Sequence, residues 1–341
     1  MIIKCKAYPR AALIGNPSDG YFGKTIAFVF RNYSAEVELY ESPELELIPT
    51  ARDQTVFSGI EHLASDVSLY GYYGGMRLMV ATVKKFNDHC KLNDIALDGR
   101  NFTIRYKTNI PNRLGLAGSS AIITATMRAL IRFYGIKVPA QSLANLILAV
   151  EKDELGIQAG LQDRVAQAYN RPIFMDFNRD YMNAHGYGIY TPIEIPAELN
   201  LYVAYRTDLA EGSEILHSRL REDYENGVPE VLSAIREWCE LTEAVKECLE
   251  KRQYQHLAPY MNRNFDLRCE VCARSISPKN KNMVDIARKA GASAKFTGSG
   301  GAIIGTYEDE KMFARIQKDL KSFSVEVIKP DIVVSSNSME V

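Results

Sequence analysis

Three groups of residues in this chain have the types and spacing to do chemistry. The first is the run Pro111-Asn-Arg-Leu-Gly-Leu-Ala-Gly-Ser-Ser-Ala121. Gly115 and Gly118 let the backbone turn tightly and come close to a ligand, and Ser119 and Ser120 offer hydroxyls just ahead of a helix. From Ala121 to Phe133 the chain is apolar on nearly every side, which predicts a buried helix with its N-terminus aimed out of the glycine loop. Unpaired amides and a partial positive charge at such an end bind anions. No Lys follows the last Gly, so this is not a Walker A loop, and the three-glycine dinucleotide spacing is missing too. The second group is the carboxylate pair Glu151 and Asp163, twelve positions apart across a turn opened by Gly156 and Gly160. The third is the glycine-rich run Lys295-Phe-Thr-Gly-Ser-Gly-Gly-Ala302.

Together these are the parts that phosphoryl transfer needs: a phosphate cradle, a carboxylate for a metal, and a group to align or deprotonate a hydroxyl. Taken singly each has a plainer reading. Glycine and serine turns also serve as connections, and Glu151 and Asp163 also suit solvated helix ends. Mg²⁺ fits the set because it uses one or two protein carboxylates and fills its other positions with phosphate oxygens and water.

Bulk composition agrees with an ordinary globular enzyme. The 341 residues suit two domains, with 46% apolar and 24% charged residues. A net charge of -1 and the lack of a long basic run argue against a nucleic-acid or anionic-membrane partner. The first ten residues do not read as a signal peptide and no apolar run is long enough to span a bilayer, so the expected compartment is cytoplasmic. Six scattered cysteines fit a reducing setting. Cys269-x-x-Cys272 stands without a second pair, and reads as two half-buried helical side chains rather than a zinc site. The five histidines show no ligand spacing.

Strands are expected at Ile2–Ala7, within Thr25–Tyr40, at Leu45–Ile48, Phe102–Lys107, Ile173–Phe177 and Leu201–Tyr205. Helices are expected over Gln54–Ser65, Gly74–Cys90, from Pro139 to Val150, and over Leu161–Tyr169. Tyr70-Gly-Tyr-Tyr-Gly-Gly75 either lines a sugar pocket or turns the chain. Thr191-Pro-Ile-Glu-Ile-Pro196 reads as a boundary, giving domains of 1–197 and 198–341. Beyond it come helices at about 228–251, 254–272 and 282–290, and short strands at 294–296, 302–307 and 325–328 around a helix at 308–320. That mixture predicts an α+β domain with an antiparallel sheet. Ser335–Val341 reads as a loose tail.

The Pro111–Ala121 loop resembles the second motif of the GHMP family of sugar and small-molecule kinases. Arg10-Ala-Ala-Leu-Ile-Gly-Asn-Pro-Ser-Asp19 resembles the first motif, with a basic residue, a short apolar run and a polar turn, and Lys295–Ala302 resembles the third. Their order and separation make the likeness far more specific than any one motif. The resemblance implies an α+β fold of two domains: an N-terminal mixed α/β domain and a C-terminal ferredoxin-like domain. It implies ATP bound along Arg113, Leu114, Gly115, Leu116, Ala117, Gly118, Ser119, Ser120 and Ala121, with Ser120 and Glu151 holding Mg²⁺. By the same likeness Asp163 is the catalytic base or orienting group, assisted by Arg10. Asn16, Ser18, Asp19, Tyr73, Arg164, Thr297, Gly298 and Gly300 would contact the acceptor. Glu154 and Asp153 are alternatives to Glu151.

Within that family the likeness is greatest to the glucuronokinases, and it covers almost the whole chain, including Leu155–Gln167 and Met261-Asn-Arg-Asn-Phe-Asp-Leu-Arg268. Asn16-Pro17 replaces the acidic residue and histidine of the common galactokinase motif, which disfavours galactose. The implied reaction is transfer from ATP to the anomeric hydroxyl of D-glucuronate. Another sugar or a heptose phosphate is the alternative acceptor, and a sensor without turnover is the alternative class. A uronate needs a cation for its carboxylate. Arg10, Lys24, Arg164 and Arg263 are the candidates, and the sequence does not rank them.

Overall fold

The computed structural model describes residues 2–50, 53, 58–61, 63, 74–112, 114–208 and 214–334, without the side chains of 214–219. Most of the helix expected over 54–65, the tyrosines of 70–73, Arg113 and the tail from 335 lie outside the described residues.

Strands β1 (Ile2–Ala7), β2 (Arg10–Ile14), β3 (Lys24–Val29), β4 (Ala35–Ser42) and β5 (Glu46–Ile48) open the chain. Helix α1 (Gly75–Leu92), β6 (Asn101–Thr108), and helices α2 (Gly118–Tyr134), α3 (Ala140–Ala149) and α4 (Leu161–Tyr169) follow. Next come β7 (Ile173–Asp176), α5 (Arg179–His185) and β8 (Ile189–Pro192). The remainder is β9 (Leu201–Arg206), α6 (Glu214–Glu225), α7 (Pro229–Glu250), α8 (Leu257–Cys272), α9 (Pro278–Lys289), β10 (Lys295–Phe296), β11 (Ala302–Thr306), α10 (Glu310–Lys321) and β12 (Val325–Ile328).

The strands form three four-stranded sheets, ordered β1-β4-β6-β5, β2-β3-β7-β8 and β10-β11-β9-β12. Pairing is antiparallel except for β5 against β6. Alternation sets the first sheet: β1 buries Ile3, Cys5 and Ala7 and exposes the residues between them. By contrast all five residues of β2 are buried, because that strand lies between α4, α7, α8 and β11. The C-terminal sheet carries its own core of Tyr202, Phe265, Met283, Phe296, Ile303 and Ile316.

Three departures from the expected elements have clear causes. Helix α2 begins at Gly118 rather than Ala121, since the Ala121 amide already bonds the Ala117 carbonyl at 3.1 Å. Both serines are therefore inside its first turn. Thr191 and Pro192 belong to β8, an edge strand where a missing N–H costs no ladder bond, so the proline segment is linker only after Pro192. The helices α5 and α6 escaped the sequence reading, and α5 buries none of its residues, so it has no apolar stripe to announce it. Among the described residues no helix is long and apolar enough to cross a membrane.

The largest core runs across position 197, because α7 lays Trp238 and Val245 against the second sheet. Trp238 is fully buried and donates its indole N–H to the Asn264 carbonyl at 3.1 Å. The Asn264 side chain accepts from the Gly15 amide at 2.7 Å and donates to the Asn16 carbonyl at 2.9 Å. The polar turn after β2 is thus held by a helix more than two hundred residues away. Asn264→Leu leaves a buried N–H and C=O of that turn unpaired and should cost about 2–5 kcal/mol. Urea unfolding checks it, and a loss under about 0.5 kcal/mol would remove Asn264 from the fold's support.

Candidate active site

A cleft of about 360 Å³ opens where the first motif, the α2 loop and the third glycine run meet. One wall is the start of α2. Gly115 has φ +65° and Ala117 φ +61°, so two residues within three take the left-handed conformation that turns the chain into the helix. Gln167 from α4 fixes this bend, donating to the carbonyls of Ala117 at 3.0 Å and Tyr8 at 2.9 Å. Helix α2 is buried nearly all round, so its dipole acts through low-dielectric surroundings at an open end.

The glycine loops interlock backbone to backbone. A Cβ on Gly298 would stand 2.6 Å from the Gly115 carbonyl oxygen, and one on Gly115 would stand 2.8 Å from that of Gly300. No side chain fits there. Arg10, 4% exposed, is threaded between the same loops. Its Nη1 donates to the carbonyls of Gly115 and Thr297, and its Nη2 to Asp163. Its backbone amide donates to Leu116 as well, at 3.1 Å.

Asp163 sits in the first turn of α4, beside the cleft. Burial would raise its carboxyl, but the guanidiniums of Arg10 and Arg164 outweigh that and hold it below the ordinary carboxylate range. It is ionised at neutral pH. Asp19 faces it across Gly160, whose Cβ would meet the Asp19 Oδ2 at 2.5 Å. Burial, and then the Asp163 charge, push Asp19 up to about 7.

Glu151 is 1% exposed and lies in a π-helical turn, Val150–Glu154, that extends α3. Such wide turns often mark functional positions. Its Oε1 accepts from the Ser119 hydroxyl at 3.0 Å. Its Oε2 accepts from Arg164 Nε at 2.6 Å and from Nη2. Ser120, expected at this carboxylate, instead turns a fully buried hydroxyl to the Ala117 carbonyl at 3.2 Å. The reason is the earlier helix start: successive residues in a helical turn point about 100° apart, so only Ser119 faces Glu151. Asp153 and Glu154 point elsewhere, each 2.9 Å from an α1 lysine, Lys85 and Lys84 respectively.

The other expected contacts divide. Leu114 through Ser119, Asn16, Asp19, Arg164 and Gly298 line the cleft. Ser120 and Ala121 are buried in α2 and do not. Ser18 is fully buried and donates to the Lys24 carbonyl at 3.0 Å, so it shapes the turn rather than the cleft. Thr297 is likewise buried, its hydroxyl against the carbonyls of Gly115 and Ala302, and Gly300 packs on Asn280. Arg113 and Tyr73 lie outside the described residues.

Among the candidate cations, Lys24 pairs with Asp176 and Glu243, and Arg263 with Glu237 and Glu270. Neither lines the cleft. Two cations that the sequence reading gave no role stand at the site. Lys295 is buried, donates to Ala12, Asn16 and Phe296, and is pushed well below the usual lysine range by burial and by Arg268 and Arg10. Arg268 lines the cleft from α8, and burial lowers it to about 10. Both fall inside stretches that carry the family likeness, which was the signal available for them.

Known proteins resemble this chain in sequence and fold. The family model of the GHMP kinases N-terminal domain matches residues 77–171, and that of the GHMP kinases C-terminal region matches 244–325. Glucuronokinase 1 of Arabidopsis thaliana is 39% identical over 306 residues, covering 89% of this chain and 84% of that protein. Probable glucuronokinase 2 of the same plant is 41% identical over 308 residues with the same coverage. The fold is that of Streptococcus pneumoniae phosphomevalonate kinase, with a TM-score of 0.74 at 14% identity, over 98% of this chain and all of that one. With the three motifs meeting around Arg10 and both family models matched in order, this chain belongs to the GHMP kinases and is a phosphotransferase.

Proposed function

We propose that the protein transfers the γ-phosphoryl group of ATP to the anomeric hydroxyl of D-glucuronate, giving the 1-phosphate and ADP, in the cytosol. The observation that carries this reading is one cleft holding the α2 N-terminus, the ionised Asp163 and the polar turn at Asn16–Asp19. The acceptor comes from the two plant relatives, which carry glucuronokinase in their names.

The amides at the start of α2 and the bend at Gly115–Ala117 would hold the nucleotide phosphates. Asp163 would accept a hydrogen bond from the anomeric hydroxyl and aim its oxygen at phosphorus. Its lowered pKa makes it a weak base, which suits phosphoryl transfer, where positioning and charge stabilisation do most of the work. An anomeric hydroxyl also ionises more readily than the other sugar hydroxyls. The Arg10 guanidinium, bound to Asp163, keeps that carboxylate charged and in place. Asp19, half-ionised near neutrality, can accept from a sugar hydroxyl or donate to one.

Ser119 and Glu151 fit Mg²⁺. They supply two hard oxygens, 3.0 Å apart and next to the phosphate cradle, while Arg164 occupies only the other carboxylate oxygen. The ion would neutralise phosphate charge there. Ser119→Ala should raise the Mg²⁺ concentration needed for half-maximal activity about tenfold, and Ser120→Ala should leave it within about twofold. A titration giving the opposite order would return the metal to Ser120.

The pH dependence follows from Asp19. Its folded-state pKa lies near 7, above the ordinary value near 4. The folded protein therefore binds this proton more tightly than the unfolded chain, and stability falls as pH rises from about 4 to about 7. Asp19→Asn removes that loss, so its melting temperature relative to the parent should be higher at pH 8 than at pH 4.5. A difference independent of pH would show that Asp19 titrates normally.

Turnover tests the reaction itself. D-glucuronate, D-galacturonate, glucose, galactose and a heptose phosphate would be supplied with ATP and Mg²⁺, and the product tested for acid lability. The expected result is an acid-labile phosphate formed chiefly from glucuronate, with kcat reduced at least 100-fold in Asp163→Asn. Turnover of another sugar alone would keep the kinase and discard this acceptor. No turnover with any of them would leave a sensor.

A further inference from the structure

Among the described residues, two cations at the cleft have carboxylate partners and two, Lys295 and Arg268, do not. Arg10 answers Asp163, and Arg164 answers Glu151. Lys295 has no carboxylate within ion-pair distance among the described residues, but its three ammonium hydrogens match three acceptors, the Ala12 and Phe296 carbonyls and Asn16 Oδ1. It has nothing left to give a ligand.

Arg268 differs. It is 2% exposed, lines the cleft, and forms no ion pair among the described residues. Its Nη1 donates to the Gly298 carbonyl at 2.7 Å and its Nη2 to that of Ser299 at 2.9 Å. The guanidinium lies over the Phe296 ring, 4.9 Å from the centroid. A guanidinium has five N–H groups, so two carbonyls leave one hydrogen on each Nη and the Nε–H, and the buried Nε has no partner at all. A buried charge with no counter-ion and spare donors is costly unless a ligand supplies what is missing. Asp19 is near enough to act on it electrostatically but is not in contact.

We propose that Arg268 reads the carboxylate of the acceptor, which makes it the residue that selects a uronate over a neutral sugar. The inference rests on the glucuronate reading above. Position favours the acceptor over the nucleotide: Arg268 is fixed to the third glycine run on the side of the Asn16–Asp19 turn, while the phosphates have the α2 terminus. Asn16 strengthens the case. It is neutral and its Oδ1 already accepts from Lys295, so the turn's one acid is Asp19, which is not in contact with Arg268. A planar fork suits a carboxylate because it can donate two parallel hydrogen bonds. A neutral sugar would leave those donors and the charge unanswered.

The experiment compares the parent protein with Arg268→Gln and Arg268→Lys on D-glucuronate and D-glucose. Binding of a non-hydrolysable ATP analogue serves as the control for folding. In Arg268→Gln, kcat/KM for glucuronate relative to glucose should fall on the order of 10- to 100-fold, the span expected for losing charged hydrogen bonds. The loss should fall mainly in glucuronate KM, with analogue affinity within about twofold. Arg268→Lys keeps the charge without the fork and should fall between. An unchanged glucuronate-to-glucose ratio with the analogue still bound would overturn the proposal, as would a weakened analogue with that ratio kept, which would move Arg268 to the phosphates. If the parent itself prefers a neutral sugar, the glucuronate reading fails first and the proposal with it. That failure is seen before any variant is made.

Discussion

The Arg10 guanidinium is the constraint on which the site depends. One buried cation binds the Gly115 carbonyl in the loop before α2, the Thr297 carbonyl in the third glycine run and the Asp163 carboxylate in α4. Each of these segments lies more than a hundred residues from Arg10 in sequence and has no local reason to meet it. A planar fork can satisfy three acceptors in different directions, which an ammonium on a flexible stem does less well. Because the charge is buried, removing either partner of the Arg10–Asp163 pair would strand the other, a loss of about 3–5 kcal/mol in comparable buried pairs. On the proposed reaction, folding and catalysis would therefore draw on the same contact.

Around that cation the glycines set the spacing. Gly298 meets the Gly115 carbonyl and Gly301 meets Leu114, so the two loops approach more closely than any side chain allows. The relative position of the two loops is consequently fixed by backbone packing rather than by rotamers, which is the kind of preorganisation that positioning chemistry needs. Helix α7 and Asn264 extend the support from the C-terminal half to the turn at Gly15 and Asn16. The cleft therefore has walls from both halves of the chain.

Much of this was legible in the sequence. Glycine pattern and apolar periodicity marked the α2 loop, the Glu151 and Asp163 turn and most strands, because each of those signals is local. What failed depended on angle and partner. Whether Ser119 or Ser120 meets Glu151 turns on a helix start three residues earlier than expected, and boundaries are where periodicity is least informative. Arg164 lines the cleft as expected, but that its guanidinium pairs with Glu151 is visible only in the fold. Ser18 and Thr297 have the chemistry of ligand contacts but spend their hydroxyls on carbonyls inside the protein.

A charged residue's role is set by what remains after its partners are counted, and that count is a property of the fold. Lys24, Arg263, Arg164 and Arg10 are alike in sequence as carboxylate readers, yet each already has an acid. Lys295 lacks one but has three oxygens for its three hydrogens. Only by following these partners does Arg268 emerge with both charge and donors in excess. It lies on α8, far in sequence from the loop before α2 and from Glu151 and Asp163. If Arg268 reads the acceptor as proposed, acceptor choice could change through α8 and the Asn16 turn while the start of α2 and the Arg10–Asp163 pair stay as they are. Such a division lets one phosphoryl-transfer site serve different acceptors.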